Sequence, residues 1–286
     1  MVFKYLKYMV LMPLCFLVGC GDGQESDLEK LCLKGKVKSM SEYKYRAEER
    51  YGKVEKGEPF REEGWDKVIL FGENGMYEEV QHVTPNGDLV GRTVYQYGKE
   101  NRKTMEQEYD SEGGLSEKTV FSYNEDNKLY QVLRLNDMDG IVSSMMIDVR
   151  NDGLVEHNYY GPSGLLLRRE VLDINRKGLP EETKIYSGEK KLVNHRKEEY
   201  NSNGQLARLQ VFAPEDGTLI MTVNFIYDDK SNVILQEGVE NISGEGFLPV
   251  KYEYEFDDKD NWIRCIEYEG STPAFVTERE FEYYQK

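Results

Sequence analysis

Turn signals recur along this chain, and no stretch between them shows a helical stripe longer than two turns. They read Asn74-Gly75-Met76, Asn86-Gly87-Asp88-Leu89, Gly113-Gly114-Leu115, Asp126-Asn127-Lys128-Leu129 and Asp139-Gly140-Ile141. The series continues through Asp152-Gly153, Ser163-Gly164, Lys177-Gly178, Asn203-Gly204, Asp216-Gly217, Ser231-Asn232 and Asp260-Asn261. Glycine, and asparagine next, supply the positive φ that bulged and primed hairpin turns require. From Gly114 through Asn127 and Gly140 to Gly153 the spacing is thirteen residues each time. Between turns, β-branched and aromatic residues alternate with polar ones, as in Thr119-Val120-Phe121-Ser122-Tyr123 and Lys251-Tyr252-Glu253-Tyr254-Glu255-Phe256. Period-two alternation places Tyr252, Tyr254 and Phe256 on one face and Glu253 and Glu255 on the other.

The fold class that follows is all-β: a long antiparallel β-meander of ~13-residue strand-turn repeats forming one large curved sheet. A dozen or more strands spaced ~4.8 Å apart make a sheet about 60 Å wide, and sheets of that width curl or split. The aromatic face is expected inside the curl. An open meander leaves its first and last strands, around 36–46 and 276–284, as edges. Lys36, Lys38, Glu278, Arg279, Glu280 and Glu282 there would discourage edge-to-edge growth. Longer loops are expected at 55–66, 187–198 and 236–248. The only expected helix is a short turn within 27–33.

The N-terminus is built differently. Lys4 and Lys7 precede an apolar run from Tyr8 to Val18 that is too short to cross a bilayer and reads as a signal-peptide core. It ends in Leu17-Val18-Gly19-Cys20, which resembles the lipobox of bacterial lipoproteins. That resemblance implies cleavage before Cys20 and lipid on its thiol. The expected division is therefore a signal peptide at 1–19, a lipidated cysteine and flexible tether at 20–34, and a repetitive β domain at 35–286. Position 21 is glycine, unlike the usual inner-membrane retention signal. The acids that follow resemble surface-export signals of Bacteroidetes lipoproteins. Outer-membrane attachment is expected, on either the surface or the periplasmic face.

Composition excludes some partners. With 53 acids against 37 bases the chain carries −16, and losing Lys4 and Lys7 leaves about −18, which repels nucleic acid. Cys32 and Cys265 remain after processing, either free or joined across the two ends of the chain. His82, His157 and His195 lie far apart without metal-ligand spacing, and no nucleophile elbow or phosphate loop is present. The acids around Asp137-Met138-Asp139, Asp228-Asp229 and Asp257-Asp258 suit turn chemistry better than a calcium loop. No catalytic residues, metal or cofactor are assigned.

An aromatic and an acid closing one strand, then a turn residue, then an aliphatic, recur as Tyr109-Asp110, Tyr227-Asp228 and Phe256-Asp257, with the variants Tyr123-Asn124 and Tyr200-Asn201. The pattern resembles the YD-repeat, or RHS-like, class, which implies an array of hairpins and no activity of its own. The functional expectation is a lipid-anchored binding or scaffolding protein whose partner is the membrane through its lipid, and a polysaccharide or another envelope protein. The rivals are a periplasmic assembly factor and an envelope glycoside hydrolase. Twenty-one tyrosines suit a half-buried sheet face. Trp65 and Trp262 are the candidate ligand platform.

Overall fold

The computed structural model describes residues 25–62 and 64–285. The expected signal peptide and Cys20 lie outside them. One four-residue helix, α1 (Asp27–Lys30), precedes nineteen strands. These are β1 (Val37–Arg50), β2 (Lys53–Pro59), β3 (Asp66–Phe71), β4 (Tyr77–Val83), β5 (Leu89–Tyr97), β6 (Lys103–Asp110), β7 (Leu115–Tyr123), β8 (Leu129–Asn136), β9 (Ile141–Val149) and β10 (Leu154–Tyr160). They continue as β11 (Leu166–Ile174), β12 (Pro180–Ser187), β13 (Leu192–Tyr200), β14 (Leu206–Phe212), β15 (Leu219–Tyr227), β16 (Val233–Glu240), β17 (Val250–Phe256), β18 (Trp262–Glu269) and β19 (Thr272–Tyr283).

The meander is present, but it is not open. From β3 to β19 each strand pairs with the next, and β19 then pairs antiparallel with β1 from Val37↔Tyr283 to Arg46↔Phe275. β1 also pairs with β3 through Ser39–Glu42. The sheet is thus a closed antiparallel barrel of eighteen strands, and the segments expected to be free edges are each other's partners. β2 is the one strand outside the ring. It folds back on the distal half of β1, so the first part of the loop expected at 55–66 is strand. Likewise β13 occupies most of 187–198 and β16 the start of 236–248. Arg264 donates to the Val54 carbonyl at 2.6 Å and Lys56 pairs with Glu278, which draws the β1–β2 hairpin over β18 and β19, where Val276 is fully buried.

Strand direction gives the barrel two unlike ends. The near end carries α1, the start of β1, the C-terminal end of β19 and the connections following β3, β5, β7, β9, β11, β13, β15 and β17. The far end carries the others. Connections at both ends are mostly tight turns with a left-handed residue before the bulge. That residue is Gly113, Asn127 or Gly153 as expected, but Asp139, Ser231 and Asp260 where the neighbouring Gly140, Asn232 and Asn261 were expected to turn. Where an acid or amide opens a near-end turn, the turn itself holds it. Asp228 accepts from the Lys230 and Asn232 amides at 2.9 and 2.7 Å, and Asn201 from the Asn203 and Gln205 amides at 3.0 Å each.

The tyrosine before that turn has a separate task. The β12–β13 ladder stops at Glu182↔Lys197, the β14–β15 ladder at Arg208↔Asn224 and the β16–β17 ladder at Leu235↔Lys251, so these hairpins splay toward the near end. Tyrosine hydroxyls bridge the gaps. Tyr200 donates to the Pro180 carbonyl at 3.0 Å, Tyr227 to Leu206 at 2.9 Å and Tyr254 to Val233 at 2.8 Å. Tyr123 does the same to Lys103 between β6 and β7, at 2.9 Å. Each acceptor begins the preceding strand, just past a register shift, where a carbonyl has left the regular ladder. Burial raises the Tyr200, Tyr227 and Tyr254 hydroxyls above the ordinary phenol value, which keeps them protonated donors.

Eighteen strands enclose more space than side chains fill, and apart from the β1–β2 hairpin every substantial strand contact is between ring neighbours. The buried apolar cluster sits at the near end instead, where Leu28 and Leu33 pack on Val37, Met40, Ile69 and Phe71. Residues 26–33, grouped with the tether from their sequence, are therefore part of the body. Ser26 and Glu29 form a reciprocal capping box on α1. The almost fully buried Asp27 accepts from the Tyr77 amide and the Tyr97 hydroxyl, both at 2.9 Å, and from Lys30. Cys32 and Cys265 are both free, so no disulfide joins the ends.

Two expectations follow. Tyr200→Phe and Tyr227→Phe should each lower stability by on the order of 1 kcal/mol, nearly additively, as a shift of the urea midpoint with unchanged slope. A null effect of both would remove the stitching role. Asp27→Ala should cost more, about 2–4 kcal/mol, because it frees several buried donors at once. Amide exchange should report that loss first at Tyr77.

Candidate functional site

The two tryptophans do not form one platform. Trp65 precedes β3 at the far end and is 47% exposed, whereas Trp262 opens β18 at the near end. The Trp262 ring is covered by the Arg279 guanidinium, 3.6 Å from its centroid, and meets the Tyr254 ring at 5.8 Å. Arg279 in turn pairs with Glu42, its direct neighbour across the β1–β19 seam, at 2.7 Å. Trp262 is thus a packing residue of the closure.

A cleft of about 610 Å³ lies where β12 and β13 splay. Glu181, Glu182, Lys197, Glu198, Glu199 and Tyr200 line it, with Asp173 and Gln210 from the flanking strands. Its carboxylates are tuned in opposite directions. Burial alone would raise Glu182, but hydrogen bonds and charge from Lys184 and His195 bring it below the usual value. Glu198 is raised, because its burial outweighs Arg196 and Thr183. Opposed shifts are the mark of an acid and base pair. The register forbids that use here. Glu182 is directly opposite Lys197, and the next residue, Glu198, projects from the other face of the sheet. No single bond can lie between the two carboxylates.

The histidines are equally dispersed. His195 bonds Glu182 at 2.7 Å and stacks on Phe212 at 4.8 Å. His157, buried on β10, faces Glu170 at 3.6 Å, and Tyr159 and Arg168 also reach that carboxylate. His82 stands alone on β4, lowered by burial and by Lys67. Among the described residues no group of three His, Cys, Asp or Glu could hold a metal ion. The clustered acids of the hairpin turns hold turn amides or pair with lysine, as Asp139 does with Lys118 and Asp260 with Lys230. The Cys265 thiol is pushed up to about 12, chiefly by burial, and is a poor nucleophile.

What the sequence did not disclose is an uneven rim. Among the described residues, eleven of the fourteen exposed large hydrophobics lie at the far end, and Tyr130, Val149 and Ile226 lie toward the near end. The signal was available in part, since aliphatics such as Leu165 and Leu248 fall in turns that turn chemistry alone does not explain.

No family model matches the chain, and no curated protein does. Solved structures with some likeness include a porin-like protein of Bacteroides uniformis, at 10% identity and TM-score 0.33, covering 87% of this chain and 99% of that one. A porin-like protein of Bacteroides vulgatus gives 13% and 0.26 with the same coverage. A Tc holotoxin pore of Photorhabdus luminescens gives 12% and 0.19, covering 75% of this chain and 15% of that one. Values this low carry no argument about function, and the barrel rests on its own strand register.

The seam supplies a pH prediction. Burial would raise Glu42, but the charge and hydrogen bond of Arg279, with the charges of Lys67 and Lys44, outweigh it and hold the carboxyl below its usual value. Its contribution is therefore complete above the unfolded value near 4.5 and lost as pH falls through the depressed folded value. Glu42→Gln should cost about 1–2 kcal/mol at pH 7. The gap to the unaltered protein should begin to narrow below pH 4.5 and close as the folded carboxyl takes up its proton, and a gap independent of pH would contradict the pairing.

Proposed function

We propose that this chain is a lipid-anchored envelope protein that works by binding or scaffolding and not by catalysis. One observation carries the reading. The chain enters the barrel at the near end, where Asp27, Leu28 and Leu33 are buried, only five residues after Cys20 reach Glu25. Lipid on Cys20 would hold that end at a bilayer and turn the far end away from it. Extended, those five residues reach about 17 Å, less than the ~25–30 Å of a strand of 7–9 residues.

An eighteen-strand ring invites comparison with membrane pores, and the side chains argue against a spanning barrel. Lys251, Glu253 and Glu255 line one face of β17, and Glu182 and Lys184 the same face of β12. The other face carries Glu170, Arg196 and Glu198. Charges of this kind at a lipid-facing midplane cost up to ~2–4 kcal/mol each. A glycan platform has lost one of its two tryptophans to packing. In the cleft with oppositely shifted carboxylates, Glu182 and Glu198 project from opposite faces of the sheet, which supports a protein partner over a glycoside hydrolase.

Cys20→Ser should move the protein from the membrane fraction to the soluble fraction while leaving its thermal unfolding unchanged. Continued sedimentation with membranes would overturn lipid anchoring. Protease treatment of intact cells separates the surface face from the periplasmic face.

A further inference from the structure

We infer that the far-end rim is a docking surface for a protein partner presenting a basic, apolar segment; the inference rests on the anchored binding reading above. Three consecutive far-end hairpins form its centre. Met138 and Ile141 flank the β8–β9 turn at 82% and 50% exposure, and Leu165 and Leu167 the β10–β11 turn at 66% and 54%. Val193 follows on the next hairpin, and Ile242 and Leu248 on the β16–β17 loop. Single exposed aliphatics are ordinary on protein surfaces, whereas a series concentrated at one end is not. The near-end turns are built from the same turn chemistry and largely lack them, so the turns themselves do not require them.

Charge selects among occupants. Among the described residues, the far-end connections carry nine acids, such as Asp88, Asp137, Glu215 and Asp216, against three bases. The near-end connections carry ten acids against eight bases. A net negative rim repels anionic headgroups, and the short link to Cys20 keeps it from the bilayer holding the anchor. A second copy docked end to end would set acids against acids. A partner with cationic groups around an apolar stripe satisfies both features, with apolar contact at the centre and charge pairing around it.

The test uses the chain from residue 20 onward with Cys20→Ser. Three fluorescent peptides serve as probes: an amphipathic lysine–leucine peptide, a lysine–glutamine peptide of equal charge, and a glutamate–leucine peptide. The lysine–leucine peptide should bind best, more weakly as salt rises. Leu165→Asp with Leu167→Asp should weaken it at least tenfold, as should Met138→Asp with Ile141→Asp, while Val149→Asp at the near end should leave it unchanged. Equal affinity in both far-end variants, or equal binding of the other two peptides, would overturn the proposal. Sedimentation with phosphatidylcholine or phosphatidylglycerol vesicles, or a dimer abolished by the same substitutions, would overturn it in favour of a bilayer or a second copy. Membrane retention of the Cys20→Ser protein would sink the anchoring reading alone, because the peptide comparison does not use the lipid.

Discussion

Pairing between the first and last strands is the contact on which this architecture depends. A sheet one layer thick and too wide to fill has little core to hold it, and the described residues show one buried apolar cluster of six members. Ring closure substitutes for a core by giving every strand two neighbours and leaving no long edge exposed. The seam is built accordingly. Met40 meets Phe281, Glu42 meets Arg279, and the guanidinium of Arg279 lies on Trp262 of the next strand. The β1–β2 hairpin lies across the outer strands of the seam and seals Val276. Beside it, α1 fastens the N-terminal segment to β3, β4 and β5 through Asp27 and Leu28.

The rest of the wall is held by local chemistry repeated along the chain. A bulged turn needs one left-handed residue, an acid or amide to gather its amides, and a donor for the carbonyl that the bulge displaces. At the β15–β16 corner Ser231 is left-handed, Asp228 gathers the amides, and Tyr254 of the next hairpin meets the Val233 carbonyl; at the β13–β14 corner Gly204, Asn201 and Tyr227 divide the same tasks. The aromatic–acid pattern of the sequence thus has a physical meaning within this chain. The tyrosine stitches a splayed hairpin, and the acid organises the turn.

This division explains what could be read in advance. The hairpin array was legible because its determinants lie within a few residues of each other, as in Asn86-Gly87 or Asn203-Gly204. Turn register was less so, because aspartate and serine also tolerate positive φ, and Asp139 and Ser231 took the place of their neighbours. Closure was not legible. Val37 and Tyr283 meet across almost the whole chain, and no local signal marks that pairing. The charges at 36–46 and 276–284 that looked like guards of open edges are cross-strand partners, as Glu42 and Arg279 show. The surroundings of the two tryptophans were hidden for the same reason, since only the long-range fold reveals that Arg279 covers Trp262 and that Trp65 lies at the opposite end.

The most direct measurement of closure joins the two strands covalently. Ser41 and Glu280 are direct partners across the seam, and antiparallel partners place their Cα atoms about 4.5–5.5 Å apart, within disulfide reach. A Ser41→Cys and Glu280→Cys protein, with Cys32→Ser to remove the exposed thiol, should oxidise to a monomeric disulfide without denaturant and unfold at higher temperature than its reduced form. Persistent free thiols at 41 and 280, or a bond formed only between molecules, would contradict the closed ring and return the sheet to an open curl.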